Sequence, residues 1–547
     1  MRKNTASTKR TPVKPKSHHR GKGKSQSWLN SWIAIALLMI LAAVASMAWF
    51  NLNSNQENKQ SKATVKISKP SVVGGMQLGL PLQSEHTPRQ EAVVKAFNHA
   101  WKAYRKYAWG KDELKPVSKS SNQWFKLGLT LIDSLDTMWL MGLTKQFNAA
   151  RSWVANEMVI AQDVDVNLFE TTIRVLGGLL STYHLTGDKL FLDRAMELGD
   201  RLLPCFNTKS AVPFSDINLA TGRGHAPEWG PDSSVSEVST IQLEFRDLTM
   251  LTGNSKYQAA VDRVMDKLQS LPKKDHLVPL FINAETGQLR PGTLSMGARA
   301  DTYYEYLLKQ WVQSGRTEKR FRDWFLHSMR GVEKHLLHLS EPSHLTFIGE
   351  ELASGEFYAK MDHLVCYLPG TLVLGVQNGL SKRFTSLAEK LMYTCYKMYE
   401  TMPTGLSPEI AHFNITKTSK EDIYIKPLDR HNLLRPETVE SLFYLYRFTK
   451  DEKYRDWGWN IFQAFEQYTK LEDGGYTSIN NVMDTENVGY RDKMESFFLG
   501  ETLKYLFLLF SDDHSVIDLN RWIINTEAHP LPIWSDYYYV YDNSTRN

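Results

Sequence analysis

The chain is poor in cysteine and lacks the short motifs of several large enzyme classes. It has 3 cysteines in 547 residues and contains no His-Glu-x-x-His, no paired Cys-x-x-Cys, no P-loop and no Gly-x-Ser-x-Gly. Zinc peptidases, NTPases and common serine hydrolases depend on those patterns for metal ligands, phosphate-binding amides and the turn that carries the nucleophile. Their absence argues against all of these classes.

The N-terminal region first lacks acidic residues and then lacks charge altogether. Residues 1–27 hold nine Lys or Arg and no Asp or Glu, and residues 28–50 hold no ionisable side chain. About 20 apolar residues span a bilayer, and positive charge ahead of them keeps the N-terminus in the cytosol. We expect a cytosolic tail at 1–27, a type II signal anchor at 28–50, a lumenal stem at 51–85 and a lumenal domain at 86–547. A cleavable signal peptide is the alternative.

The rest of the chain has no basic excess. Without the tail, 56 Lys or Arg face 60 Asp or Glu, so the formal charge of +5 belongs to the N-terminus and nucleic-acid binding has no support. In an oxidising lumen the 3 cysteines allow three pairings. One of them, Cys366 with Cys395, would close a loop of 29 residues and leave Cys205 as a buried thiol. Sequons at Asn414 and Asn543 fit a lumenal location, although such triplets also arise by chance.

A repeat of about 65 residues organises this domain. Its marker is an aromatic residue that opens an amphipathic helix just after a turn, and the last five markers are 66, 64, 63 and 70 residues apart. The markers are Phe147, Phe191, Tyr257, Phe321, Phe384 and Tyr454. Ahead of each turn runs another helix, so each unit is a helical hairpin. A degenerate seventh unit is expected around Val516–Ile517.

The two helices of each unit differ in where their apolar residues fall. The first helices, such as 173–185 and 438–448, are apolar on more than one face, whereas the second helices carry one apolar stripe. This contrast predicts an all-α fold with an inner ring of helices inside an outer ring. An open solenoid is the alternative, because hairpin arrays can stack without closing.

Acidic residues recur near the starts of the first helices. These are Glu170, Glu237, Asp301, Asp362, Glu437 and Glu501. A closed ring would gather them into one deep acidic pocket. Each acid could instead complement a helix dipole, for about 0.3–1 kcal/mol. That alternative does not explain the cations that stand beside them, since buried charges are costly unless they serve a site. The cations are Arg174, Arg299, Arg435 and His363.

Carboxylates in an aromatic-lined pocket suit a sugar. Two of them can hydrolyse a glycosidic bond, one as the acid and one as the base that activates water. A separation of about 6.5–9.5 Å leads to inversion at the anomeric carbon. Oxygen ligands without a Cys/His cluster favour Ca²⁺ over zinc.

At these segments the chain resembles glycoside hydrolase family 47, the class I α1,2-mannosidases. The matching stretches include GLTLIDSLDTMWLMGL, DVDVNLFETTIRVLGG, GARADTYYEYLLKQW, KMDHLVCYLPG, RHNLLRPETVESLFYLYR and NTEAHPLP. They extend from about Arg89 to Pro532 and show no departure at a motif position. The resemblance implies an (αα)7 barrel plugged at one end by a C-terminal β-hairpin.

The resemblance also implies roles for individual residues. Glu170 would be the general acid, Glu437 the general base and Asp301 a third essential carboxylate of unsettled role. Thr526 would give Ca²⁺ its direct protein oxygens, with waters in the other positions. Cys366 and Cys395 would form the family's disulfide. Residues around the sugar or the metal's waters would be Arg174, Glu237, Arg299, Asp362, His363, Arg435, Glu440, Phe497, Glu501 and Glu527.

The expected function is that of an inverting, Ca²⁺-dependent exo-α1,2-mannosidase, a monomer that trims high-mannose N-glycans from Man9 to Man8 during glycoprotein quality control. The resemblance leans to the endoplasmic reticulum membrane, although a short stem and a basic tail also suit the Golgi. One alternative is a glycan-binding receptor for misfolded glycoproteins on the same fold. Another is a membrane-tethered helical scaffold, which leaves the acidic ring unexplained.

Overall fold

The structure, a computed structural model, describes residues 85–227 and 230–534. The predicted tail, the signal anchor at 28–50, the stem up to residue 84 and the sequon at Asn543 lie outside the described residues. In the two described ranges, no helix is both long enough and apolar enough to cross a membrane.

Helical pairs follow one another along the chain, each with a first and a second helix. Pairs 1 to 6 are Leu135–Leu140 with Thr144–Asn156, Gly177–Thr186 with Lys189–Leu202, Gln242–Thr252 with Lys256–Ser270, Asp301–Gln313 with Lys319–His335, Leu368–Gln377 with Arg383–Glu400, and Glu437–Thr449 with Lys453–Tyr468. Every predicted marker lies in a second helix, and all the markers are buried there. The helical-hairpin prediction is confirmed for these pairs.

The turns inside the pairs use the predicted chemistry. Gly187 and Gly253 end the first helices of pairs 2 and 3 in the left-handed conformation, at φ of 70° in both cases. Asp188 then begins the next helix by accepting a hydrogen bond from the backbone N–H of Leu190. Glycine adopts this conformation without a steric penalty, which explains its place at these helix ends.

The seventh pair is made differently from the prediction. Residues 511–521 form turns, held by Asp513 and Asp518, whose carboxylates accept hydrogen bonds from nearby backbone N–H groups. The helix that packs on the last first helix, Leu503–Leu509, is instead Pro88–Tyr107 near the other end of the described chain. The expectation of a helix around Val516–Ile517 was wrong, because this short segment is rich in Asp and Ser, which favour turns.

The first helices contact one another in a cyclic order. Each packs against the first helix of the next pair, from pair 1 to pair 6, and pair 6 packs against Leu503–Leu509. The π-helical turn Phe498–Thr502, which leads into Leu503–Leu509, contacts the first helix of pair 1. The order of contacts therefore returns to its start.

Short antiparallel strands join the pairs. They form small sheets from Glu113–Lys115 with Ser120–Asn122, Asp165–Asn167 with Asp216–Asn218 and Gly224–His225, Asp232–Ser234 with Phe281–Asn283, Leu337–Leu339 with Thr346–Ile348, Glu350–Glu351 with Phe357–Tyr358, Lys360–Asp362 with Ile410–Phe413 and Ile423–Tyr424, Lys470–Leu471 with Gly475–Tyr476, and Trp522–Ile524 with Pro530–Pro532. The last of these, a C-terminal hairpin, contacts the first helices of pairs 2, 3 and 4.

One covalent link crosses pair 5. Cys366 and Cys395 form a disulfide with an S–S distance of 2.10 Å, which is the pairing that the resemblance implied. Cys205 is a free, buried thiol. Asn414 is half-buried, and its side-chain amide donates a hydrogen bond to the Glu421 carbonyl.

Candidate active site

The acids predicted from the repeat lie at or near the starts of the first helices. Asp301 and Glu437 are the first residues of the first helices of pairs 4 and 6. Glu170 closes the short helix Leu168–Glu170, and Glu501 lies in the turn Phe498–Thr502. Burial raises the pKa of both Asp301 and Glu501, and the charge of Glu437 raises each of them further. The carboxylates therefore form one electrostatic cluster.

Glu437 is held by an imidazole that is itself anchored. Its Oε2 lies 2.7 Å from His363 Nδ1, and His363 Nε2 lies 2.8 Å from the Tyr399 hydroxyl and 3.0 Å from Thr438 Oγ1. Burial acts to raise the pKa of Glu437, but the hydrogen bond and charge of His363 and the charge of Arg435 outweigh it and hold this pKa below its usual range. Glu437 is therefore ionised at neutral pH and can accept a proton.

Glu170 is held by the guanidinium of Arg174, which also bonds to other side chains. Arg174 Nε donates to Glu170 Oε2 at 2.7 Å, and Arg174 Nη1 donates to Glu527 Oε1 at 2.6 Å and to Ser496 Oγ at 3.0 Å. The Glu170 backbone N–H donates to Asn167 Oδ1, which fixes the start of the helix. The Glu170 side chain is 27% exposed, against 13% for Glu437.

Phe497 joins these two sides. The Arg174 guanidinium lies 5.5 Å from the centre of its ring and the Arg435 guanidinium lies 5.8 Å from it. Arg435 also donates from Nε to Glu409 Oε2 at 2.6 Å and lies 3.8 Å from Glu437 Oε1. The partners of Glu170 and Glu437 thus border a single aromatic side chain.

Two π-helical turns carry residues of this site. Thr171–Leu176 contains Arg174, and Phe498–Thr502 contains Glu501 and directly follows Phe497. A π turn inserts one residue into the helical register and is frequent at functional sites. Here each π turn leads directly into a first helix, at the end where the acids gather.

Asp301 is buried and receives hydrogen bonds at one oxygen. Ser236 Oγ donates to Asp301 Oδ1 at 2.6 Å and the Thr302 backbone N–H donates at 2.9 Å. Burial raises the pKa of Asp301 to about 7, so it can keep a proton where an ordinary carboxyl cannot. Glu237 forms a capping box with Ser234, and burial raises its pKa as well.

The Asp362 carboxylate packs against Gly297, where there is no room for a side chain. Its Oδ2 accepts a hydrogen bond from the Ala298 backbone N–H at 3.0 Å, and its Oδ1 lies 2.7 Å from Lys360 Nζ. A Cβ on Gly297 would lie 2.2 Å from Asp362 Oδ2, so only glycine allows this approach. Arg299 follows in the left-handed conformation at φ 78°, with its guanidinium over the Phe281 ring.

A buried ionic network connects through Ser496 to Arg174, the partner of Glu170. His529 lies 2.8 Å from Asp136 through Nδ1 and 3.1 Å from Asp133 through Nε2, and Lys504 lies 2.8 Å from Asp136. Asp133 Oδ2 accepts a hydrogen bond at 2.5 Å from Ser496, the same serine that receives one from Arg174. Asp133, Asp136 and Lys504 were not among the residues predicted for the site.

Thr526 lies in the turn of the C-terminal hairpin. Its Oγ1 donates to Glu305 Oε2 at 3.0 Å, which leaves the lone pairs of the hydroxyl available, and its backbone N–H donates to the Tyr306 hydroxyl. Lys309 is paired with Glu305 and lies 3.7 Å from Glu440. Glu305 was also missed by the sequence analysis.

The residues near this turn fit a hard cation. In the described part of the chain, no three His, Cys, Asp or Glu side chains converge as ready-made metal ligands. Burial raises the pKa of Glu501 well above its ordinary value, and the charges of Glu527, Glu437, Asp133 and Glu440 raise it further. Such a set of mutually repelling oxygen donors suits a cation held by Thr526 and by waters bound to the carboxylates.

The structure brings most of the predicted residues together. Direct contacts link Glu170, Arg174, Glu527 and Phe497, and a second set links Glu437, His363, Arg435 and Phe497. Tyr505 donates a hydrogen bond to Glu440 at 3.3 Å, and Glu440 raises the pKa of Glu501. Glu237 connects more loosely, because Glu170 is among the charges that add to burial in raising its pKa.

The comparisons with known proteins agree with one another. The sequence profile of Glycosyl hydrolase family 47 matches residues 96–533. The chain is 58% identical over 471 residues to the "Endoplasmic reticulum mannosyl-oligosaccharide 1,2-alpha-mannosidase" of Homo sapiens, covering 86% of this chain and 67% of the relative. It is 45% identical over 469 residues to the protein of the same name from Schizosaccharomyces pombe, covering 82% of this chain and 90% of the relative.

A solved structure has a similar fold. The alpha-1,2-mannosidase from Trichoderma reesei superimposes with a TM-score of 0.76 at 27% sequence identity, covering 82% of this chain and 99% of that chain.

Proposed function

Because the chain belongs to glycosyl hydrolase family 47, we propose that it is an inverting exo-α1,2-mannosidase that removes terminal α1,2-linked mannose from high-mannose N-glycans, converting Man9 to Man8. The names of the human and fission-yeast relatives support the substrate class. The observation that carries the proposal is the pair of carboxylates, Glu170 and Glu437, whose cationic partners border the same Phe497 ring.

Each carboxylate has a defined task in the proposed reaction. Glu437, ionised beside His363, takes a proton from a water as the water oxygen bonds to the anomeric carbon. The glycosidic C–O bond breaks, and Glu170 gives its proton to the departing oxygen. Attack from the face opposite the leaving group inverts the configuration at the anomeric carbon.

Asp301 and Phe497 complete the pocket in this proposal. With a pKa of about 7, Asp301 stays partly protonated at neutral pH and adds little repulsion to the ionised Glu437. Phe497 offers an apolar surface to the sugar, and the guanidinium groups of Arg174 and Arg435 lie beside the Phe497 ring. We propose that the cyclic contacts of the first helices form an (αα)7 barrel and that the hairpin of Trp522–Ile524 and Pro530–Pro532 plugs one end.

Calcium is part of the proposal. Thr526 would hold the ion, and Glu501, Glu527 and Glu440 would hold its waters. The bound ion would supply coordination of mannose hydroxyls and so help to distort the ring. We also propose residence in the endoplasmic reticulum membrane through an anchor at 28–50, with the described domain in the lumen.

Incubation of the detergent-solubilised full chain with a Man9 glycan, with Ca²⁺ or with EDTA, tests the proposal. We expect loss of one mannose with Ca²⁺ and none with EDTA, and NMR of the released sugar should show the β-anomer first. Binding of Man9 without any turnover would favour the receptor alternative, and turnover that EDTA leaves unchanged would remove the metal from the proposal.

A further inference from the structure

A three-stranded sheet begins at the pocket and ends at an exposed tyrosine. Lys360–Asp362 pairs with Ile410–Phe413, which pairs with Ile423–Tyr424, and His412 lies opposite both Lys360 and Tyr424. Directly paired residues point to the same face of a sheet, as do residues two apart on a strand. Asp362, Lys360, His412 and Tyr424 therefore share one face.

The opposite face of this sheet is core. Met361, Ala411 and Phe413 are each no more than 2% exposed, and the Phe413 ring stacks on Phe347 with centroids 4.2 Å apart. The register is fixed by this burial, because a shift of one residue would expose the apolar set. The face that carries Asp362 is thereby directed away from the core.

Tyr424 is an exposed ring on a fixed support. Its ring stacks on His412 with centroids 5.3 Å apart and an interplanar angle of 27°, yet the residue is 42% exposed. His412 is 2% exposed, lies 2.8 Å from Asp429 through Nε2 and meets the Tyr358 ring at 6.0 Å. One side of the Tyr424 ring is covered and the ring is held in place, so its other side is available to a ligand.

Polar groups lie along the sheet that carries this ring. Lys426 donates from Nζ to the Tyr358 hydroxyl at 2.7 Å, and Lys360 bridges Glu350 at 3.1 Å and Asp362 at 2.7 Å. An aromatic surface edged by ammonium and carboxylate groups suits a sugar ring, whose C–H face is apolar and whose hydroxyls need donors and acceptors.

The chain links this face to the pocket by two routes. Tyr358 and Lys360 lead to Asp362 along one extended segment, and the segment after Tyr424 leads through Asp429 to Arg435 and Glu437. Asp362 accepts a hydrogen bond from Ala298, next to Arg299. Asp362 thus belongs both to this face and to the predicted pocket.

We propose that the face formed by Tyr358, Lys360, His412, Tyr424 and Lys426 is a second saccharide-binding position, which holds a sugar of the oligosaccharide remote from the mannose that is cleaved. This inference rests on the proposed function. A contact that is made equally in the ground state and in the transition state changes KM and leaves kcat as it is, and we place this contact in that class.

Two substrates of different size test the proposal on the full chain. We expect Tyr424→Ala to raise KM for a Man9 glycan about tenfold with kcat unchanged, and to leave KM for α1,2-mannobiose unchanged. Tyr424→Phe keeps the ring and should behave as the unsubstituted chain. Tyr393→Ala, on the second helix of pair 5, is the matched control, since Tyr393 is 43% exposed.

The outcomes separate this inference from the proposed function. An unchanged KM for Man9, or an equal change for both substrates, overturns the second position while leaving the mannosidase in place. Absence of turnover by the unsubstituted chain overturns both. If Tyr424→Ala lowers the melting temperature, Lys426→Ala provides the second variant and should raise KM for Man9 alone, by about threefold.

Discussion

The two sides of the pocket hold the same kind of group in different ways. Glu437 meets one imidazole, and that imidazole is fixed in turn by Tyr399 and Thr438. Glu170 meets a guanidinium that also bonds to Glu527 and Ser496. Glu437 has a hydrogen bond from its own imidazole and a more distant guanidinium, Arg435, at 3.8 Å, whereas the Glu170 side divides one cation among several acceptors. A carboxyl group thus takes its role from its partners and not from its residue type.

The largest expected effects come from replacing each of these two carboxyl groups in turn. We expect Glu437→Gln and Glu170→Gln to lower kcat for Man9 about 10³–10⁴-fold, because each loses a proton transfer. α-Mannosyl fluoride needs little protonation of its leaving group, so Glu170→Gln should recover most activity on it and Glu437→Gln should not. Steady-state kinetics with both substrates measure this. Near-normal turnover of Man9 by Glu437→Gln would refute the assignment.

The raised pKa of Asp301 predicts that the activity depends on pH. Its pKa of about 7 is raised by burial, so the protonated form is present below pH 7 and is lost as the pH rises through that value. We expect kcat/KM for Man9 to fall above about pH 7 in the unsubstituted chain. Asp301→Asn should be about 10–100-fold less active at pH 6 and should lack this alkaline fall, because an amide stays neutral.

A pH–rate profile of both chains from pH 5 to 9 provides the measurement. Circular dichroism over the same range is the control for unfolding. An alkaline fall that persists unchanged in Asp301→Asn would assign the fall to another group.

Substitutions of Arg174 and Arg435 test whether it matters for activity that Arg174 bonds to several side chains. Both arginines lie over the Phe497 ring. Arg174 makes hydrogen bonds to three side chains, whereas Arg435 donates a hydrogen bond to Glu409 and makes a longer approach to Glu437. A lysine cannot reproduce the guanidinium fork. We expect Arg174→Lys to lower kcat/KM about 30-fold and Arg435→Lys about fivefold. These losses correspond to about 2 and about 1 kcal/mol, since a charged hydrogen bond contributes about 1.5–3 kcal/mol and a lysine keeps part of it. Equal losses would show that the sharing is without consequence.

The smallest effect concerns Ser496, which connects Arg174 to Asp133. Ser496→Ala removes both hydrogen bonds, and we expect kcat/KM to fall about fivefold. Ser328→Ala is the matched control, because Ser328, in the second helix of pair 4, is equally buried and donates its hydrogen bond to the His276 backbone carbonyl. If both variants lose stability alike and neither loses activity, Ser496 has only a structural role.

The repeat made the fold of the six regular pairs predictable. Aromatic markers, turn glycines and apolar stripes encode helical hairpins locally, so each could be read from about 65 adjacent residues. The seventh pair could not be read in this way, because its partners Pro88–Tyr107 and Leu503–Leu509 lie far apart in the sequence. Local patterns carry no information on which distant helix completes a ring.

The residues of the site also divide into those that a local pattern predicts and those that depend on distant partners. Residues at helix starts, such as Glu170 and Glu437, were found because their position in the repeat is regular. Asp133 and Asp136 lie among apolar residues of two short helices, where periodicity marks only core. Their partner His529 is nearly 400 residues away in the sequence, so no local pattern connects them. The two π turns also lack a sequence pattern, since they differ from an α-helix by one residue of register.

The seventh pair has a consequence for the order in which this protein can become active. A ribosome delivers Pro88–Tyr107 early, and this helix then waits for its partner until Leu503–Leu509 has been made. Glu501, Thr526 and Glu527 belong to the same late stretch of chain. Six pairs can assemble during synthesis, but the pocket is incomplete until Leu503–Leu509 and the hairpin that follows it have been made. A truncated product that lacked this stretch would retain both Glu170 and Glu437 and still have no competent site, so catalytic competence itself reports that synthesis has passed this stretch.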